Sequence, residues 1–291
     1  MKIRSVIFSM RPSQWVKNLF IFAALIFSQK FFDSVPLLNT AAAFLIFCIL
    51  SGALYIFNDL LDIEEDKLHP KKSKRPIASA EIGKNQAISL FITLSIISLF
   101  MASWLNKYFF IAALTYFVLQ LAYSIKLKHV VIVDVFIVTV GFIIRVVAGG
   151  LVIEVPISSW LLICTMLLAL FLAMSKRRQE IVVLENVASN HRPILKEYSP
   201  YLLDQMIAVV TASTLITYCL YTISAETVEK FGTTKLVFTT PFVLYGIFRY
   251  LYLVHQKGKG GSPESLIIKD KPLLINILLW VGTVVFILYF Y

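Results

Sequence analysis

A chain of 291 residues, 58% hydrophobic and only 15% charged, with a mean hydropathy of +0.80, is too apolar for a water-soluble globule and belongs in a lipid bilayer. A formal charge of +10 would suit nucleic acid in a soluble protein. Here the basic residues are spread over segments between apolar stretches, where their partners are anionic membrane lipids and phosphorylated substrates, not nucleic acid.

Nine apolar stretches predict an all-α, polytopic membrane protein, with approximate limits 18–32, 37–58, 86–105, 108–125, 130–152, 157–175, 203–224, 236–255 and 273–291. The first is short, and Trp15 extends it into the interface. Arg11, Pro12 and Lys17 do not form the basic segment and small-residue cleavage site of a secretory signal, so none is expected. Nine spans starting inside put Lys2, Arg4, Arg11, Lys17, the Lys67–Lys84 group, Lys126, Lys128, Lys176–Arg178, Arg192, Lys196, Lys257, Lys259, Lys269 and Lys271 in the cytoplasm. Lys30, Lys107, Lys230 and Lys235 fall outside. This bias predicts a multi-pass cell-membrane (inner-membrane) protein with a cytoplasmic N-terminus and an external C-terminus. The longest polar segments, 59–85, 176–202 and 256–272, all fall on the cytoplasmic side, so a single domain over 1–291 with its active site on that side is expected. Cys48, Cys164 and Cys219 sit inside apolar spans without metal spacing and are read as small core residues.

In chain order, chemistry first appears in the entry segment RPSQWVKN, where Lys17 and Asn18 point into the first turn of a span. The second span then runs out into NDLLDIEEDKLHPKKSKRPIAS. Asn58, Asp62 and Asp66 are spaced i, i+4, i+8 and share one helix face, and Asp59 leans into the same cluster. Carboxylates are costly beside lipid, so this cluster reads as functional. Hard oxygen ligands next to Lys71, Lys72, Lys74 and Arg75 point to Mg²⁺ holding a polyphosphate. In YSIKLKHVVIVD, Tyr123 and Lys126 share a face, Lys128 and His129 follow, and Asp134 sits one turn inside the fifth span as a metal or substrate ligand or a partner of a buried cation. Arg145 lies about three turns further on and is assigned a structural pairing or a contact to a neighbouring helix. The sixth span runs into SKRRQE, where Lys176, Arg177, Arg178 and Glu180 form a basic patch with one acid, expected opposite the acidic cluster. His69 and His129 lack a second ligand at zinc spacing.

The motif from Asn58 to Ser79, set after the second of nine spans, resembles that of the UbiA superfamily of intramembrane prenyltransferases, and the likeness covers essentially the whole chain. RPSQWVKNLFIFA, YSIKLKHVVIVD with GFIIRVVAGG, and SKRRQE resemble one branch, the decaprenyl-phosphate phosphoribosyltransferases. Aromatic prenyltransferases of the superfamily place a second aspartate-rich DxxxD motif after helix six, where this chain has Lys176-Arg177-Arg178-Gln179-Glu180. The resemblance implies a UbiA-type bundle that moves 5-phosphoribose from phosphoribosyl diphosphate to a polyprenyl phosphate. It implies Asn58, Asp59, Asp62 and Asp66 on Mg²⁺, and Lys17, Lys74, Arg75, Tyr123, Lys126, Lys128, Asp134, Lys176, Arg177, Arg178 and Glu180 about the substrates. The alternatives are an aromatic prenyltransferase with a polyprenyl diphosphate donor and a transporter of a phosphorylated lipid. Polar groups crowded on one face, with few spans interrupted at mid-membrane, favour an enzyme.

The topology is testable directly. A reporter fused after residue 84 or after residue 190 is expected to label as cytoplasmic and one at Tyr291 as external; a cytoplasmic C-terminus would show that the number of spans is even.

Overall fold

The computed structural model describes residues 3–68, 72–185, 197–258 and 263–290, and every regular element among them is a helix. Lys2, His69, Lys71, Arg192, Lys196, Lys259 and Tyr291, which figured in the sequence reading, lie outside the described residues. Eight helices among the described residues are long and apolar enough to cross a membrane. The chain forms two compact units, Met1–Pro156 and Ile157–Tyr291.

The first unit opens with α1 (Ile3–Ser9), a 3-10 entry segment (Pro12–Ile21) and α2 (Phe22–Phe27). The long helices α3 (Ser34–Leu61), α5 (Lys84–Leu105), α6 (Lys107–Ile125) and α7 (Val133–Val152) follow, with a short α4 (Ile63–Leu68) after α3. The first expected span, 18–32, is therefore not one α-helix. The chain enters it as 3-10 helix and leaves through a turn at Ser28–Gln29. Ten residues at the 3-10 rise and six at the α rise still reach about 29 Å. Long 3-10 runs are uncommon, and this one is held by its neighbours. Ile21 and Leu25 are fully buried with Phe47, Leu50 and Phe109 in one apolar cluster. The most apolar stretches of α3 and α7 are 61% buried, against 17% for α5, so α3 and α7 form the interior of this unit and α5 presents apolar side chains such as Phe100 and Trp104 outward.

Local chemistry sets the ends. Asn106 caps α6, its side-chain oxygen accepting from the Tyr108 and Phe109 amides at 2.8 and 3.1 Å. Helix α3 stops at Asp62, which takes a non-helical φ of −96° and ψ of 14°, and α4 resumes at once. A second apolar cluster of Ile56, Ile77, Ile82 and Ala87 fastens the loop after α4 back onto α3.

The second unit holds α8 (Ser159–Glu185), α9 (Pro200–Ile223), α10 (Ala225–Phe231), α11 (Thr240–His255), α12 (Pro263–Lys269) and α13 (Lys271–Phe290). Helix α8 packs on α9, and α11 packs on α13 and α9. Helix α8 runs well past the expected limit at 175, so the SKRRQE residues lie on the helix itself rather than in a loop. Tyr218 ties three elements, bonding Thr239 at 2.6 Å and accepting from the Trp280 indole at 2.9 Å.

One close approach in the first unit gives a sharp test. A Cβ added at Gly149 of α7 would lie 2.0 Å from the Ile21 carbonyl oxygen. Gly149→Ala must push two backbones apart, so it is expected to cost at least the ~1–3 kcal/mol typical of overpacking, read as a lower unfolding midpoint in detergent. Gly282, where nothing lies within 4 Å, should accept alanine without loss.

Candidate functional site

At the end of α3 the structure collects carboxylates and cations rather than carboxylates alone. Asp59, Asp62 and Asp66 are all buried, at 2%, 5% and 1% exposure. The helical spacing holds across the break at Asp62, because the Asp62 amide bonds the Asn58 carbonyl and the Asp66 amide bonds the Asp62 carbonyl. Asn58 donates its side-chain amide to Asp62 Oδ2 at 2.8 Å.

Each carboxylate meets a cation. Arg75 Nη1 bridges Asp59 Oδ1 at 3.0 Å and Asp66 Oδ2 at 2.5 Å. Lys72 Nζ stands 3.8 Å from Asp66 Oδ1. Lys128, itself buried, donates to Asp62 Oδ1 at 2.5 Å. Arg11 Nη2 pairs with Asp59 Oδ1, and its guanidinium lies over the Tyr55 ring 5.0 Å from the centroid. Buried charges persist only when paired and hydrogen-bonded, and this cluster satisfies both conditions.

The surrounding sequence places these cations. Arg75 leads into a loop closed by the Ser79 amide on the Arg75 carbonyl and the Ile82 amide on the Pro76 carbonyl, with Ile77 and Ile82 packed under α3. Lys128 sits in a 3-10 turn, Leu127–His129, and four residues later Ile132 takes a φ of 68°. Arg11 has φ 51° and ψ 67°, although the residue before a proline ordinarily takes an extended conformation. Non-glycine residues in the left-handed region cost about 1–3 kcal/mol and gather at functional sites. Two such residues here sit on segments that deliver a cation to the cluster.

The other sequence candidates divide. Asp134 is fully buried in the first turn of α7, where the helix dipole favours a carboxylate. Tyr123 is half-buried on α6, whereas Lys126 is exposed at that helix's end and Lys74 is exposed in its turn. Lys17 is half-buried and donates to Gln14 Oε1 at 2.6 Å within the entry segment. Arg145 has the structural pairing expected of it, with Asn18 among its partners at 2.7 Å. In the second unit Lys176 is half-buried on α8, and Arg177 pairs with Glu180 one turn on at 2.6 Å. Arg178 makes a two-pronged contact with Asp204 of α9, its Nη2 donating to Oδ2 at 3.2 Å.

Two residues at this cluster, and one beside Arg178 in the second unit, escaped the sequence reading. Arg11 was noted only as part of the entry segment, and neither Tyr55 nor Asp204 was singled out. Asp204 carried the signal that flagged Asp134, an acid in the first turns of a span.

No set of three or more acidic, histidine or cysteine side chains among the described residues is arranged to hold a metal ion. The donor chemistry nonetheless fits a hard divalent cation: three buried carboxylates and an amide oxygen share one helix end. The carboxylates engage the chain's own cations.

With this geometry in hand, comparison with known proteins is specific. The model of the UbiA prenyltransferase family matches residues 18–269. The decaprenyl-phosphate phosphoribosyltransferase of Mycolicibacterium smegmatis is 31% identical over 99% of this chain and 93% of its own length. That of Corynebacterium glutamicum is 30% identical over 97% of this chain and 86% of its own. A UbiA homologue from Archaeoglobus fulgidus, solved bound to GPP and Mg²⁺, superposes with a TM-score of 0.74 over 98% of this chain and 99% of that one, at 19% identity, which establishes the fold.

The buried Lys128–Asp62 pair yields a stability test. Lys128→Met strands a buried carboxylate and is expected to cost about 3–5 kcal/mol, read as a lower unfolding midpoint in detergent. Adding Asp62→Leu should recover most of that loss, because an apolar pair of similar volume is often neutral. An unchanged midpoint in the single variant would show that the pair carries no such strain.

Proposed function

The chain belongs to the UbiA prenyltransferase family, and from that premise we propose that it transfers 5-phosphoribose from phosphoribosyl diphosphate to a polyprenyl phosphate of decaprenyl type, releasing diphosphate. It is a membrane-embedded transferase. Two phosphoribosyltransferases similar to it along nearly its whole length support the substrate assignment. The observation that carries the chemistry is the charge-paired cluster: three buried carboxylates in contact with Arg11, Lys72, Arg75 and Lys128.

A diphosphate brings negative charge that such a cluster accepts by exchange of partners. Asn58, Asp59, Asp62 and Asp66 would hold Mg²⁺, and Arg75, Lys128 and Arg11 would turn from carboxylate to phosphate oxygens. Mg²⁺, when bound, screens the diphosphate and stabilises its departure. The chain's cations add charge-assisted hydrogen bonds aimed at the same leaving group. The bond from the anomeric carbon to the diphosphate oxygen breaks as one forms to an oxygen of the lipid phosphate, with inversion at that carbon. The nucleophile is anionic at neutral pH, so these residues bind and orient without removing a proton. Release from the carboxylates costs the cations little, since each trades one oxyanion for another. In this reading the chain works as one domain with the cluster on the cytoplasmic side, and the acceptor's tail stays in the bilayer.

The decisive experiment gives the purified chain labelled phosphoribosyl diphosphate with short polyprenyl phosphates, and in parallel prenyl diphosphate with hydroxybenzoate. Mg²⁺-dependent label in the lipid is expected only in the first. Asp62→Asn and Asp66→Asn preserve shape and are expected to lower turnover by about a thousandfold or more, the scale of several kcal/mol of lost leaving-group stabilisation. Prenylation of the aromatic acid alone would replace the proposed donor and acceptor while leaving the fold as it is.

A further inference from the structure

The motif GFIIRVVAGG has no part in the reaction just proposed. Gly141, Arg145 and Gly149 are spaced i, i+4, i+8 on α7 and so share one face. Each does something definite there. The Gly141 carbonyl accepts from Arg145 Nη1 at 2.7 Å, and a Cβ at Gly141 would crowd Gln120 at 3.2 Å, the guanidinium at 3.5 Å and the Tyr116 ring at 3.6 Å. Gly149 lets the Ile21 carbonyl come within 2.0 Å of where its Cβ would stand.

Between them Arg145 is 4% exposed inside a spanning helix. Nε donates to Asn18 Oδ1 at 2.7 Å and Nη2 to the Tyr116 hydroxyl at 2.8 Å, and the guanidinium lies 4.6 Å from the Tyr116 ring centroid. Among the described residues none of these partners is a carboxylate. A cation so placed is expensive, and what it gains is geometry: a rigid fork reaches acceptors on α6, α7 and the entry segment at once, which an ammonium cannot. Asn18, 1% exposed, passes the connection on to Cys48 and Ser51 of α3 at 3.3 Å each.

The entry segment needs such a hold. It is ten residues of 3-10 helix, and at its head stands Arg11 in a left-handed conformation. A strained residue of this kind persists only where the surroundings over-determine it.

We propose that Gly141, Arg145 and Gly149 form a clamp that fixes the entry segment through Asn18 and Ile21 and thereby sets the Arg11 guanidinium against Asp59. Arg145 and Asn18 are positioning residues, acting on the cluster through Arg11. The kinetic consequence rests on the proposed phosphoribosyl transfer; the structural one does not.

Two readouts on the full-length chain in nanodiscs test it. In amide hydrogen exchange, Asn18→Ala and Arg145→Met are expected to speed exchange across residues 12–21 by about tenfold or more while α9 is unchanged. Unchanged exchange over 12–21 in both variants overturns the clamp, whether or not the chain is active. In kinetics, Asn18→Ala and Arg11→Ala should each lower kcat/KM for phosphoribosyl diphosphate about ten- to a hundredfold, the scale of one charge-assisted hydrogen bond. The double variant Arg11→Ala with Asn18→Ala should then match Arg11→Ala within about twofold, the usual scatter of additive effects. Losses that multiply would show that Asn18 acts independently of Arg11 and overturn the positioning role. Asn18→Ala decides the matter alone if Arg145→Met fails to insert. A wild-type chain that moves no phosphoribose, with exchange faster over 12–21 in the variants, would sink the proposed reaction and leave the clamp standing.

Discussion

A charge withdrawn from water into a helix bundle has to be paired, and that requirement organises the first unit. Asp59, Asp62 and Asp66 sit where α3 leaves its apolar run, each nearly inaccessible. Isolated, any one of them would neutralise itself or melt the helix end. Arg75, Lys128 and Arg11 prevent this, and each arrives from a different direction: the loop after α4, the turn before α7 and the head of the entry segment. Fixing three carboxylates therefore ties three separate segments of chain to one helix end.

In the proposed reaction the same pairing would make the cluster chemically useful. Cations already oriented on buried oxyanions are preorganised for another oxyanion, so a diphosphate would replace a carboxylate as partner with little reorganisation. The apolar contacts beneath serve this end. Ile77 and Ile82 against Ile56 hold the loop that carries Arg75, and the 3-10 turn Leu127–His129 brings the buried Lys128 to Asp62. In the second unit the cations are tied differently. Arg177 is occupied by Glu180 and Arg178 by Asp204, so that patch is internally compensated rather than a bare positive surface.

Much of this was legible in the chain. Long apolar runs have one stable solution in lipid, so α3, α5, α6, α7, α9 and α13 fall within a few residues of their expected limits. The i, i+4, i+8 spacing of Asn58, Asp62 and Asp66 foretold a shared face even across the break at Asp62, because one non-helical residue barely changes the angular register. Arg145 was recognisable as structural from its depth alone. The first span was misjudged as a plain α-helix because hydropathy reports length and not helical pitch. The end of α8 was set too early because a basic run was taken to end a helix.

What the sequence by itself determined was the solvent, the helical class and the identity of the acidic face, since these depend on local composition and on spacing within one helix. Which cation meets which carboxylate was decided only by the tertiary structure. Arg11 and Asp59 are 48 residues apart, Lys128 and Asp62 66, and Arg145 and Asn18 127. No periodicity links such positions; their partnership follows from how α3, α6 and α7 pack, and from a glycine that lets two backbones touch.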